Sequence, residues 1–248
     1  MTFADSASVA LGLAIALAAY GSAAAIVGYF RLLPELRRSA EHAALAVAAL
    51  VTYAALVLFG LLLTHQFGVA FVAEVSSRTM STRAVLSAFW GGQAGSLLLR
   101  TWVLTLFCAA VVLVHRRRDR ELLPVAMASL CVIEFFFLLV LLVSADPFTR
   151  LPSPPADGQG LNPLLQDEAM SFHPPLLLTG YMAFAMPLAI AVSGLVTGQM
   201  GISWLRALRR WTLVAWTIQG CGLLAGAWWA YHVLGWGGYW GWDPVENV

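Results

Sequence analysis

Lysine is absent from this chain of 248 residues, and charge of either sign is scarce: 11% of the residues are charged, against 60% apolar. A water-soluble domain needs more charge than that to stay dispersed, so lipid is the expected solvent for most of the sequence. The formal net charge is +1, and no basic stripe is interleaved with aromatics. The electrostatic footprint of a nucleic-acid partner is therefore missing, and no nucleic acid is expected to bind. Cysteine is limited to Cys108, Cys131 and Cys221, each inside a long apolar run. Free Cys in such runs behaves as a small hydrophobe, and none of the three is spaced as a redox or metal pair. There is no CxxCH, so the chain is not itself a c-type cytochrome.

Long apolar runs are what the sequence has instead. A spanning helix needs roughly 20 mostly apolar residues. Runs of that kind fall at about 8–30, 42–64, 98–114, 122–144, 175–197 and 211–231. The expected fold is all-α: a polytopic transmembrane helix bundle of about six spans, forming a single integral membrane domain over 1–248. The first run lacks a small-residue cleavage site followed by polar sequence, so it reads as a retained helix.

All 14 basic residues are arginines, and their placement predicts the orientation. Arg31, Arg37 and Arg38 follow the first span; Arg116, Arg117, Arg118 and Arg120 follow the third; Arg206, Arg209 and Arg210 precede the sixth. The positive-inside tendency puts these loops in the cytosol and the N-terminus outside, which for a bacterium means an inner-membrane protein with a periplasmic N-terminus. Segments 65–97 and 145–174 and the stretch after 232 then face outward, and they hold the unusual residues.

The end of the chain is rich in tryptophan. Trp228, Trp229, Trp236, Trp240 and Trp242 fall close together, and Gly235, Gly237, Gly238 and Gly241 interrupt the last three. Trp is enriched at membrane interfaces, so an interfacial anchor is the plain explanation for any one ring. If the stretch is helical, Trp236, Tyr239, Trp240 and Asp243 share a face. Glycine is costly in a helix and is kept where backbone must approach something closely. Flat rings beside bare backbone suit a large planar apolar ligand, and an anchor has no need of the glycines.

The segment WGGYWGWDPVEN, residues 236–247, resembles the tryptophan-rich WWD signature of haem-handling membrane proteins. Its DPVEN ending resembles the CcmF-type haem lyase subunits of cytochrome c maturation. Two further segments are similar to that family in the same order: WGGQAGSLLL at 90–99, and NPLLQD at 162–167 followed by FHPPLL at 172–177. The resemblance runs from about residue 67 onward. It implies haem as the bound group and residues 232–248 as an external WWD haem-handling segment. It implies His173 as an external axial ligand of the haem iron, with Trp236, Trp240 and Trp242 forming the haem platform and Asp243 orienting or capping that segment. His232, Tyr239, Gly237 and Gly238 are secondary candidates. Implied partners are a haem chaperone, other cytochrome c maturation subunits and a CxxCH apocytochrome c, besides membrane lipid. The family's b-type haem is held by membrane-embedded histidines that do not fall within residues 1–248.

The residues themselves leave alternatives beside that reading. His173 precedes Pro174 and Pro175, which mark a helix start; a polar cap there is the plain explanation, though a helix N-terminus favours the neutral imidazole that ligates metals. His65 is expected to be interfacial, and His42 and His115 to be solvated among the arginines. Gln93, Ala94 and Arg100 depart from the family pattern, and Glu134 is an ionisable group near the middle of the fourth span. Asp243, Pro244 and Glu246 form a helix-start signal two residues before Val248, which predicts a chain truncated at its C-terminus. The expected activity is that of a cytochrome c haem lyase component. The alternatives are a haem-delivery WWD protein, a nitrite-reductase-type lyase relative, and a transporter or structural membrane subunit.

Overall fold

The first two helices begin on local features that apolar windows overlook, a polar cap in one and a proline in the other. In α1 (Phe3–Phe30) the Thr2 hydroxyl accepts from the Asp5 N–H, and the Asp5 carboxylate accepts from the Thr2 N–H at 2.7 Å. Helix α2 (Pro34–Leu63) starts on a proline at a position whose N–H has no intrahelical partner. Both run longer than their apolar cores. The computed structural model describes residues 2–116 and 121–233.

Two short helices follow, α3 (Ala70–Val75) and α4 (Thr82–Gly91). Then come α5 (Gln93–His115), α6 (Leu123–Ser144), α7 (His173–Ala183), α8 (Ala185–Thr197) and α9 (Ile202–Val233). Six stretches are long and apolar enough to cross a membrane: α1, α2, α5, α6, the α7–α8 pair and α9. The all-α bundle with six spans is therefore the observed fold. Among the described residues, β pairing is limited to one isolated bridge, Val69 with Arg150.

Small side chains bring the first helices together. Ala7, Ala14, Ala18 and Ala25 of α1 and Ala40, Ala44, Ala54 and Ala55 of α2 are buried; in lipid, close backbone approach supplies the packing that hydrophobicity cannot. Helix α6 packs on α1 and α8, and α5 packs on α2, α6 and α7. Helix α9 packs on α7 and α8 and leaves most of its surface uncovered, with Ala207, Ala215, Gly222 and Ala230 as its buried residues. The fifth crossing is broken at Phe184. Pro187 has no N–H to give the Ala183 carbonyl, and its ring crowds that oxygen, so α7 ends and α8 begins there.

One end of the bundle carries the arginine loops, and the other carries the long connections. At this loop end, strand-like bonds knit residues 68–76 to 149–160. Ala70 N–H donates to Thr149 at 2.8 Å, Leu151 N–H to Gly68 at 2.9 Å, and Gln159 N–H to Ala73 at 2.8 Å. Asp157 accepts from the N–H groups of Arg78 and Gly158 at 3.0 and 2.8 Å. The Arg78 N–H is the larger influence in holding its carboxyl below the usual carboxylate range.

Candidate functional site

The three motif segments meet at the loop end, around His173. WGGQAGS forms the corner between α4 and α5. A side chain on Gly95 would strike the Phe89 carbonyl oxygen, one on Gly92 would meet the Phe71 ring, and one on Gly91 would meet Leu161. Glycine is required at 95 because two backbones pass in contact, and at 91 and 92 because neighbouring side chains fill the space. The corner leaves Trp90 facing the 163–171 segment, and its indole N–H donates to the Met170 carbonyl at 2.7 Å.

NPLLQD builds that segment. Asn162 Oδ1 accepts from the Leu164 N–H at 3.0 Å, opening a 3₁₀ turn over Pro163–Gln166. Asp167 Oδ1 accepts from the Ala169 N–H at 2.9 Å, opening a second over Glu168–Ser171. Side-chain caps of this kind hold short turns without a longer helix to support them. An exposed ion pair, Arg83 with Glu168 at 3.1 Å, and Ser87 beside Ser171 at 3.3 Å tie the second turn to α4. His173 follows as the first residue of α7, with the two prolines in its opening turn.

The half-buried His173 ring rests on α9. Its Nδ1 lies 2.9 Å from the Gly222 carbonyl oxygen. A carbonyl only accepts, so Nδ1 carries the proton and Nε2 keeps its lone pair. Gly222 and Gly226 make the approach possible. A side chain on Gly222 would strike the Leu177 backbone, and one on Gly226 would strike the His173 ring. The GxxxG spacing in an apolar run is a signal for close helix contact that the sequence reading passed over.

Aromatic rings surround this contact. His173 is nearly parallel to Trp229, with centroids 6.2 Å apart and planes at 13°. Phe172 stacks on Trp228 at 5.8 Å and 19°, and Trp228 lies 4.7 Å from His232. Trp229 Nε1 donates to the Leu164 carbonyl at 3.4 Å, joining α9 to the first 3₁₀ turn. Phe172 and Trp228 are 43% and 40% exposed, so their apolar surface is left uncovered rather than spent in the core. A neutral imidazole with an available nitrogen, set among flat apolar rings, fits a planar macrocycle carrying a metal. Its N–H donated to a carbonyl fixes the ring, as is usual for metal-ligating histidines.

A family model described as Cytochrome C assembly protein matches residues 90–248. The chain belongs to that family. Among curated members, it is 40% identical over 240 residues to the cytochrome c-type biogenesis protein CcmF of Pseudomonas aeruginosa, covering 96% of this chain and 36% of that protein. It is 38% identical over 225 residues to the cytochrome c-type biogenesis protein NrfE of Haemophilus influenzae, covering 89% of this chain and 35% of that protein. A solved structure titled Cytochrome c Heme Lyase CcmF superposes with a TM-score of 0.85 at 31% identity, over 100% of this chain and 39% of that one. The chain thus spans about a third of the length of the cytochrome c assembly relatives it matches.

The other site expectations fare unevenly. Trp236, Gly237, Gly238, Tyr239, Trp240, Trp242 and Asp243 lie outside the described residues. His232 joins the aromatic cluster through Trp228. His65 lies in the turn after α2 with its backbone left-handed at φ 50°, stacked loosely near Phe67. His42 is exposed. His115 corrects its expectation: it is half-buried, and its Nε2 accepts from the Trp211 indole at 3.1 Å, because α9 folds back over the end of α5. The cysteines need correction too. Sequence spacing separates Cys108 from Cys131, yet packing of α5 on α6 brings them together beside Glu134. Glu134, the ionisable group of the fourth span, is fully buried there with its carboxylate facing the two thiols.

Proposed function

We propose that the chain is part of a cytochrome c haem lyase, seated in a bacterial inner membrane with the loop end on the periplasmic side. In this reading haem is a substrate, received on the loop end and presented to a reduced CxxCH apocytochrome. The observation that carries it is the His173 ring, held through Nδ1 by the Gly222 carbonyl, nearly parallel to Trp229 and next to the stacked Phe172–Trp228 pair. His173 is the axial nitrogen donor to the haem iron. By resemblance to the WWD family, Trp236, Trp240 and Trp242 would form the haem platform and Asp243 would orient or cap that segment, and His232, beside Trp228, is a further candidate.

The reaction adds each apocytochrome cysteine across one haem vinyl group. A sulfur–carbon bond forms, the thiol proton ends on the neighbouring vinyl carbon, and nothing leaves. The residues of this chain contribute position rather than bond-making. Holding iron and ring plane fixed converts an encounter of two large molecules into a local one, which removes much of the entropic barrier. Partners of this reading are a haem chaperone that supplies the substrate, further maturation subunits and the apocytochrome. Any b-type haem within the membrane would take its ligands from outside residues 1–248.

The test is the visible spectrum of the intact protein purified in detergent, beside the yield of covalently haem-stained cytochrome c in the same cells. His173→Ala should lower both the Soret absorbance assigned to the external site and the cytochrome yield by at least about tenfold, the scale of losing a metal ligand's support. An unchanged spectrum and yield in a folded His173→Ala protein would reduce the aromatic cluster to an interfacial anchor.

A further inference from the structure

Cys108 of α5, Cys131 of α6 and Glu134 of α6 form a cluster inside the bundle that haem handling does not use. One ligand atom from each, the two Sγ atoms and a carboxylate oxygen, all lie within 4.8 Å of one another. All three residues are 0% exposed. Cys131 and Glu134 are three residues apart and share a face of α6, while Cys108 comes from the facing helix. The surrounding cluster is apolar, with Leu104, Val111, Leu130, Met127 and Met186.

Glu134 is the informative member. Both of its carboxylate oxygens are buried, with no polar partner among the described residues other than the two thiols that face them. A polar group taken into a dry interior without a partner is costly, and an apolar side chain of similar size would fill the space more cheaply. Nearby buried hydroxyls are turned to main-chain carbonyls: Thr105 donates to Trp102 at 2.8 Å, and Ser22 to Ala128 at 3.3 Å. Three converging donors, one of them otherwise unsatisfied, make a binding position for a cation.

We propose that Cys108, Cys131 and Glu134 bind a single copper(I) ion within the membrane. Two sulfur donors select a soft metal. Zinc in a structural site takes four donors, and here three are provided with apolar walls around them. The remaining donor type in the same packed cluster is the thioether of Met127 and Met186, which also suits copper(I). As the two copper–sulfur bonds form, the two S–H bonds break and both protons are released to solvent; the oxidation state of the metal is unchanged, so no electron donor or acceptor is required. The assignment stands apart from the haem reading, because it uses different residues in a different layer of the bundle.

The test is the metal content of the full-length protein, purified under reducing conditions from copper-supplemented cells and measured by elemental mass spectrometry. About one copper per chain is expected, with X-ray absorption showing a copper(I) edge and sulfur neighbours. Cys108→Ser and Cys131→Ser should each lower bound copper at least tenfold, and Glu134→Gln should weaken it against a copper(I)-specific chelator. His173→Ala should leave copper unchanged, which separates this site from the haem site. If the serine variants fail to fold, chelator competition and the absorption edge of the unaltered protein decide. Zinc in place of copper, copper no higher than in a folded Cys108→Ser variant, or an edge without sulfur neighbours would overturn the proposal.

Discussion

Two regions at the loop end use the same kinds of residue to opposite ends. At the α4–α5 corner, Gly95 lets two backbones pass in contact, Gly91 and Gly92 make room for the Leu161 and Phe71 side chains, and the aromatics fill the core: Phe89 is fully buried and stacks on Phe59 with centroids 4.1 Å apart. At the α7–α9 junction, Gly222 and Gly226 again allow close approach, yet Phe172 and Trp228 keep their faces exposed. Glycine does the same work in both places. What differs is whether neighbouring elements cover the rings. The corner is a support, and the junction is a surface with room for a partner molecule.

The comparison is sharpest at its glycines. Gly95→Ala should be the most damaging change, because the added carbon collides with the Phe89 backbone, which cannot swing aside as a side chain could. A loss of about 3 kcal/mol is expected, read as a lowered melting temperature in detergent with haem and fold lost together. Gly226→Ala should cost about 2 kcal/mol and act differently, since its added carbon meets the His173 ring. Its signature is a shifted or weakened Soret band in protein that still folds. Should both variants fail in the same way, the junction would be structural like the corner.

Trp90→Phe keeps the ring's bulk and removes the N–H donated to Met170. About 1 kcal/mol is expected, with faster hydrogen exchange confined to residues 163–171 and a modest loss of haem. The smallest effect concerns Asp157. Its carboxyl is held below the ordinary range by the Arg78 N–H, so its tie is fully present above the unfolded value of about 4 and fades as pH falls through the lower folded value. Exchange in residues 145–160, divided by the intrinsic amide rate at each pH, should be flat from pH 8 to 5 and rise only in more acidic solution. A rise near neutrality would mean that another group holds this loop.

Much of the fold was legible because apolar length is a physical requirement of the bilayer and survives any detail of packing. Helix starts were less so: Thr2 with Asp5, and Pro34, depend on a few polar atoms outside the apolar window. The break at Phe184 lay in Pro187, whose effect falls on the preceding turn. At the site, His173 stood out through its prolines and its motif. Its contact with Gly222 could not be read, because the pairing of α7 with α9 is decided in three dimensions. The same reason hid the Cys108–Cys131–Glu134 cluster, whose members lie on different helices. His115 misled because a position among arginines suggested water, whereas Trp211 returns to meet it.

The interruption at Phe184 turns one membrane crossing into two levers on a shared joint. The upper lever, α7, is fastened to α9 through His173 and Gly222. The lower, α8, is fastened to the head of α6 through Ser193 and the Leu122 carbonyl. Trp204 at the foot of α9 also donates to the Ile190 carbonyl of α8, so tilting at the joint would move the imidazole with the upper part of α9 alone, and the gripping end can adjust to its load while the footing of the bundle stays in place.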